Sequence, residues 1–121
     1  MPQLDWSVKI VPNAGGTGAA FQPNLPNSKP GDTLNAQIGD VVTWRNDTAD
    51  VHQPWPTQGN VPGGPPFTGP LPQDQTLSAP IPPNTSSTPQ YIVNPGTGVT
   101  TIYYCCRNHP SEQGSITIVT L

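Results

Sequence analysis

Charge is scarce in this 121-residue sequence: four lysines and arginines against seven aspartates and glutamates, a net charge of −3. Four cations cannot build a basic patch, which excludes phosphate-backbone binding and with it nucleic acid as a partner. Histidine and cysteine occur twice each, methionine only at position 1 and glutamate only at position 112. The two cysteines, Cys105 and Cys106, are neighbours, so they make no disulfide framework, and a bridge between them would be strained. No apolar run approaches the ~20 residues of a membrane-spanning helix. No signal peptide is visible either, because Met1-Pro2-Gln3-Leu4-Asp5 runs straight into strand-like sequence.

What is plentiful excludes long helices: eighteen prolines and twelve glycines remove backbone donors and cost helix stability. Threonine, valine and isoleucine dominate the remaining stretches and favour strands. In residues 4–11, Leu4, Trp6, Val8 and Ile10 alternate with polar residues, which predicts a half-buried strand with those four on its inner face. Phe21 opens a short second strand. Residues 33–38 and 41–46 read as strands around a Gly39-Asp40 turn. Residues 54–74 are proline-rich and aperiodic, and predict a long ordered loop packed by Trp55 and Phe67 rather than a sheet strand. Short strands follow at 76–81 and 90–94, then a tight turn at Asn94-Pro95-Gly96-Thr97-Gly98. Residues 100–105 and 115–119 supply the last two strands. One domain spanning 1–121 and built as an all-β Greek-key β-sandwich of seven to eight strands is the expectation. Its core should hold Trp6, Trp44, Ile102, Tyr104, Ile116 and Ile118.

Within this strand-rich chain, Tyr103-Tyr104-Cys105-Cys106-Arg107-Asn108-His109-Pro110-Ser111-Glu112-Gln113-Gly114 gathers both cysteines, one histidine and the glutamate. Thiolate plus imidazole selects copper or zinc; a two-His, one-Cys set with a weak axial ligand describes a copper electron-transfer centre. Strand parity sorts the cysteines, since Ile102, Tyr104 and Cys106 share one face while Tyr103 and Cys105 share the other. Taken singly, His52 would read as a surface residue and Cys106 as a small buried hydrophobe.

Gly39-Asp40-Val41-Val42-Thr43-Trp44-Arg45-Asn46 with His52, and Tyr104-Cys105-Cys106-Arg107-Asn108-His109-Pro110-Ser111-Glu112-Gln113-Gly114, together resemble the two motif segments of the cupredoxins. The likeness is to the amicyanin and plastocyanin branches. Pro95-Gly96-Thr97 resembles a turn that precedes the second motif in that family, and residues 33–121 carry the similarity. The resemblance implies one copper per chain, with His52, Cys106 and His109 as equatorial ligands and Cys105 as an outward-facing neighbour. It also implies a redox partner protein docking near His109 and Pro110, with Pro54, Trp55 and Pro56 available to extend that patch. An extracytoplasmic location, periplasmic or secreted, follows from the same likeness, with a leader that this sequence does not carry.

The departure from the family is axial. Register places Glu112 where the family has methionine, two residues before Gly114, with Gln113 as the alternative. A carboxylate is a harder donor than a thioether and stabilises Cu(II) over Cu(I); it could also swing out and open a coordination position. The leading reading is therefore an electron-transfer protein with a carboxylate axial ligand, and not an enzyme, because the motif offers no second acid/base group. A copper-binding or sensing module without fast electron transfer, and a degenerate cupredoxin used structurally, are the alternatives.

Overall fold

The computed structural model describes residues 4–13, 18–68, 79–92 and 100–119. Among these residues eight strands form two four-stranded sheets: β1 (Asp5–Pro12), β2 (Ala19–Pro23), β3 (Leu34–Ala36), β4 (Val41–Asn46), β5 (Pro54–Pro56), β6 (Gln90–Tyr91), β7 (Thr101–Cys106) and β8 (His109–Ile118). The strand orders are β2-β1-β4-β6 and β3-β8-β7-β5. Pairs β1–β4 and β3–β8 run parallel and the other pairs antiparallel. This is the expected all-β Greek-key sandwich.

The core lies where the alternating faces of the two sheets meet. Val8 and Ile10 from β1, Phe21 from β2, Val42 and Trp44 from β4, Tyr104 and Cys106 from β7 and Ile116 from β8 are buried together. Trp6, Ile102 and Ile118 pack half-buried against them. Tyr104 is central, meeting Phe21 and Trp44 edge-on with ring centroids 4.8 and 5.6 Å away, the aromatic geometry favoured by ring quadrupoles. Its hydroxyl accepts from Trp44 Nε1 at 3.2 Å. The ring lies across Gly114, its register partner on β8, where a Cβ would come within 2.6 Å of the Tyr104 oxygen. Only glycine leaves room for that approach.

Several local expectations change. Leu4 is 46% exposed rather than inward, because it stands at the sheet rim with its N–H on Asp40 and its carbonyl on Val41 N–H. Residues 54–56 form a strand, β5, paired with β7, and Thr57 bridges to Pro66. The proposed loop is thus partly sheet, and residues 69–74 of it lie outside the described residues. Of the strand expected at 76–81, residues 76–78 lie outside them, while Ile81 makes a single bridge with His52. The Asn94–Gly98 turn also lies outside them. β8 begins at His109, six residues before the expected start, so the cysteine-rich stretch is a tight hairpin and not a loop.

Asp40, 3% exposed, ties the start of β1 to the start of β4. It accepts from Leu4 N at 3.1 Å, Trp6 Nε1 at 2.9 Å and Gln37 N at 2.9 Å. Burial by itself raises its pKa, but these donors favour the anion and together leave it below the ordinary aspartate value. A depressed carboxylate stabilises the fold above its unfolded pKa, ~3.9, and that contribution is lost as pH falls through the folded value. Asp40→Asn should cost about 1–3 kcal/mol at pH 7. The deficit should shrink as pH falls below the range where the wild-type anion survives. Denaturant unfolding of both proteins across that range checks it; a deficit that stays constant at the lowest pH would deny the anion its role.

Candidate metal centre

Two short-range devices bring the candidate donors together. The first is the β7–β8 hairpin, in which Cys106 pairs with His109 across Arg107 and Asn108, with a register shift between Cys105 and Cys106. The residues left unpaired by the shift, Pro110 to Glu112, are on β8, so β8 bends there and the His109 ring comes to lie against the Cys106 sulfur. The second is the turn after β4. Asn46, fully buried, donates through Nδ2 to Asp50 O (2.7 Å) and Ile81 O (2.9 Å) and accepts from Thr48 N and Oγ1. His52 exchanges backbone hydrogen bonds with Ile81 beyond that turn. His52 is therefore held by a hydrogen-bonded corner.

His52, Cys106, His109 and Glu112 each present one ligand atom, and the four atoms lie within 4.8 Å of one another. Cys106 Sγ is 3.5 Å from His52 Nδ1 and 3.6 Å from His109 Nδ1. Glu112 Oε1 is 3.0 Å from His52 Nδ1 and 3.7 Å from His109 Nδ1. His52, Cys106 and Glu112 are buried, whereas the His109 side chain keeps 41% of its accessibility. Glu112 Oε1 has no hydrogen-bond partner, alone among the buried side-chain nitrogens and oxygens of the described residues. Its 3.0 Å approach to His52 Nδ1 therefore lacks hydrogen-bond geometry.

A buried carboxylate oxygen left without a partner is costly. One cation at the common point of two imidazole nitrogens, a sulfur and this oxygen would satisfy all four, so the residues fit a metal ion. Burial raises the Cys106 pKa, and the Glu112 charge adds to this, while the backbone N–H groups of Gln53, Asn108 and His109 pull the other way. The Gln53 N–H reaches the sulfur at 3.4 Å. Those donors point where a thiolate would carry its charge.

Parity holds for the cysteines, but exposure does not. Cys106 belongs to the core cluster, and Cys105, also fully buried, lies outside it between Trp55 and Gln113 in register. The outward neighbour is covered because β5 adds a strand beside it. Burial and the Cys106 charge push the Cys105 thiol up to about 11. Gln113, the alternative donor, is engaged away from the cluster, donating to Gly64 O and Pro110 O and accepting from Gly63 N. Glu112 points inward, and its second oxygen accepts from Ala19 N at 2.8 Å. Pro54 and Pro56 are buried and do not extend a surface patch. Trp55 is half-buried under the Arg107 guanidinium, 4.4 Å from the ring centroid. Pro110 is exposed beside His109.

Asn46, Gln53 and Ala19 escape a reading of side-chain chemistry. Asn46 is visible only as part of a motif, and Gln53 and Ala19 act through backbone N–H groups that any residue but proline carries.

No family model matches the chain, and no curated protein matches it in sequence. Among solved structures it is similar to a novel purple cupredoxin from Nitrosopumilus maritimus, with TM-score 0.59 and 19% identity over 93% of this chain and 98% of that one. It is also similar to two mutant amicyanins described as Cu(I) forms, each with TM-score 0.51. One is 17% identical over 97% of this chain and 82% of its own, the other 16% identical over 98% and 84%. The chain therefore has the cupredoxin fold, with His52, Cys106, His109 and Glu112 gathered at one place in it.

Proposed function

We propose that the protein binds one copper ion and carries single electrons. His52 Nδ1, Cys106 Sγ and His109 Nδ1 would be the principal donors, with Glu112 Oε1 fourth, in the place that the resemblance gives to an axial methionine. The observation that carries this reading is the unpartnered Oε1 among two imidazole nitrogens and a sulfur. Two imidazoles with a thiolate favour copper over a hard-ion site. When bound, copper supplies a one-electron couple between Cu(II) and Cu(I).

The chain's own residues do the rest. His52, Cys106 and Glu112 keep water from the cluster by their burial, and the Gln53 N–H steadies charge on the sulfur. The half-exposed His109 ring is the one donor side chain with substantial access to solvent, so electrons would leave through it to a redox partner protein docked at His109 and Pro110. An electron carrier rather than an enzyme is the reading that the likeness to cupredoxins supports. The extracytoplasmic location stays part of the proposal. No helix of the described residues is long and apolar enough to cross a membrane.

Adding Cu(II) to the purified protein should load one copper per chain and give a visible sulfur-to-copper absorption band. Equal affinity for Zn(II) with no visible band from Cu(II) would reject the reading. The metal-free protein should still unfold in one cooperative transition, because the buried Trp44, Tyr104, Phe21, Ile10 and Ile116 supply the stability. A metal-free chain without a transition would make the site structural, as in small zinc domains.

A further inference from the structure

Among the described residues β2 is the outer strand of its sheet and pairs with β1. Asn13 N–H donates to Gly18 O at 3.1 Å, so residues 13 and 18 are a hydrogen-bonded pair. The next pair, Pro12 and Ala19, therefore points its backbone groups out of the ladder. Ala19 N–H, on a residue only 4% exposed, would be a buried orphan there. It donates instead to Glu112 Oε2, 93 residues away on the opposite sheet. Gly18, at φ +72°, sets this strand start, and a Cβ on it would meet Glu112 Oε2 at 3.4 Å and Asn13 Nδ2 at 3.2 Å.

We propose that Gly18 and Ala19 are positioning residues for the metal centre: Ala19 N–H occupies Glu112 Oε2, so Glu112 offers the single oxygen Oε1 to the space shared by His52, Cys106 and His109. The inference rests on the copper reading above and extends it to the N-terminal hairpin, which lies outside the two motif segments. Rotating the carboxylate, or swinging it to solvent, would break a charge-assisted hydrogen bond and strand a buried donor. The hairpin therefore keeps Glu112 a fixed one-oxygen donor and closes the position that a mobile carboxylate would open.

Ala19→Pro removes this N–H without taking a bond from the β1–β2 ladder. In the copper-loaded protein the visible band should persist while its maximum and the copper hyperfine splitting in electron paramagnetic resonance both move. In a Glu112→Ala background the same substitution should move neither, which a merely structural role would not produce. Shifts equal in both backgrounds, or in neither, overturn the proposal and leave copper binding intact. A wild type with no visible band defeats the copper reading and this proposal with it. If Ala19→Pro fails to fold, hydrogen exchange of the Ala19 amide in the metal-free protein decides. Glu112→Ala should speed it at least about tenfold relative to neighbouring amides, and unchanged exchange overturns the tether.

Discussion

Cys106→Ser is expected to abolish the visible absorption of the copper-loaded protein, while Cys105→Ser keeps it. The two thiols are adjacent in sequence and both fully buried, so exposure cannot separate them. Direction does. Cys106 Sγ lies 3.5–3.6 Å from both Nδ1 atoms, with the Gln53 N–H on it, whereas Cys105 faces the far side of β7 between Trp55 and Gln113. A serine oxygen at position 106 lacks the soft sulfur donor whose charge transfer gives the band. Cys105→Ser should instead act on stability, by about 1–3 kcal/mol, since its hydroxyl enters a buried place without an assigned partner. Absorption spectra and thermal unfolding of the two variants check both halves. The reverse spectral pattern would mean that Cys105 is the ligand.

Glu112→Met should raise the reduction potential by at least ~59 mV, a tenfold change in a one-electron equilibrium, and move the spectrum toward intense blue. The carboxylate carries a charge that favours Cu(II), and methionine offers only a soft, neutral thioether. The same substitution leaves Ala19 N–H without its acceptor, so it should also cost about 1–3 kcal/mol of stability. Glu112→Gln separates the effects, because its amide oxygen can still accept from Ala19 N–H while the charge is gone. It should lie between wild type and Met in potential and near wild type in stability. Redox titration with unfolding curves measures all three proteins. An unchanged potential and spectrum in Glu112→Met would show that the carboxylate is no ligand.

Legibility in the sequence followed the kind of signal each element carries. β4 was readable to the residue because Val41, Val42, Thr43 and Trp44 are strand-favouring residues directly after a Gly-Asp turn, and its bounds are Val41–Asn46. The four clustered side chains were readable because their donor types are rare in this chain and because the two segments that hold them resemble the cupredoxin motifs. β5 was not, since Pro54 and Pro56 look like strand breakers until the fold shows them on an edge, where a missing donor costs nothing. Cys105 was expected to face outward and does, but its burial depends on that same unforeseen strand. The early start of β8 was hidden because His109-Pro110-Ser111-Glu112 shows no alternation of apolar residues. The Ala19 contact was beyond reach, as a backbone N–H leaves no mark on residue identity.

β5 also bears on how another protein can approach this end of the molecule. Thr57 N–H and Gln53 O bond to β7, so odd-numbered residues face inward along this edge and residues 54 and 56 face the open side. Both are proline, and the Pro56 carbonyl is already taken by Phe67 N–H. An incoming strand would find no N–H on those two residues to dock against, so the sheet cannot be lengthened here by a second chain in the manner of a growing fibril. Any protein meeting the molecule along this margin must recognise side chains, and the Arg107 guanidinium laid over Trp55 is the feature it would encounter.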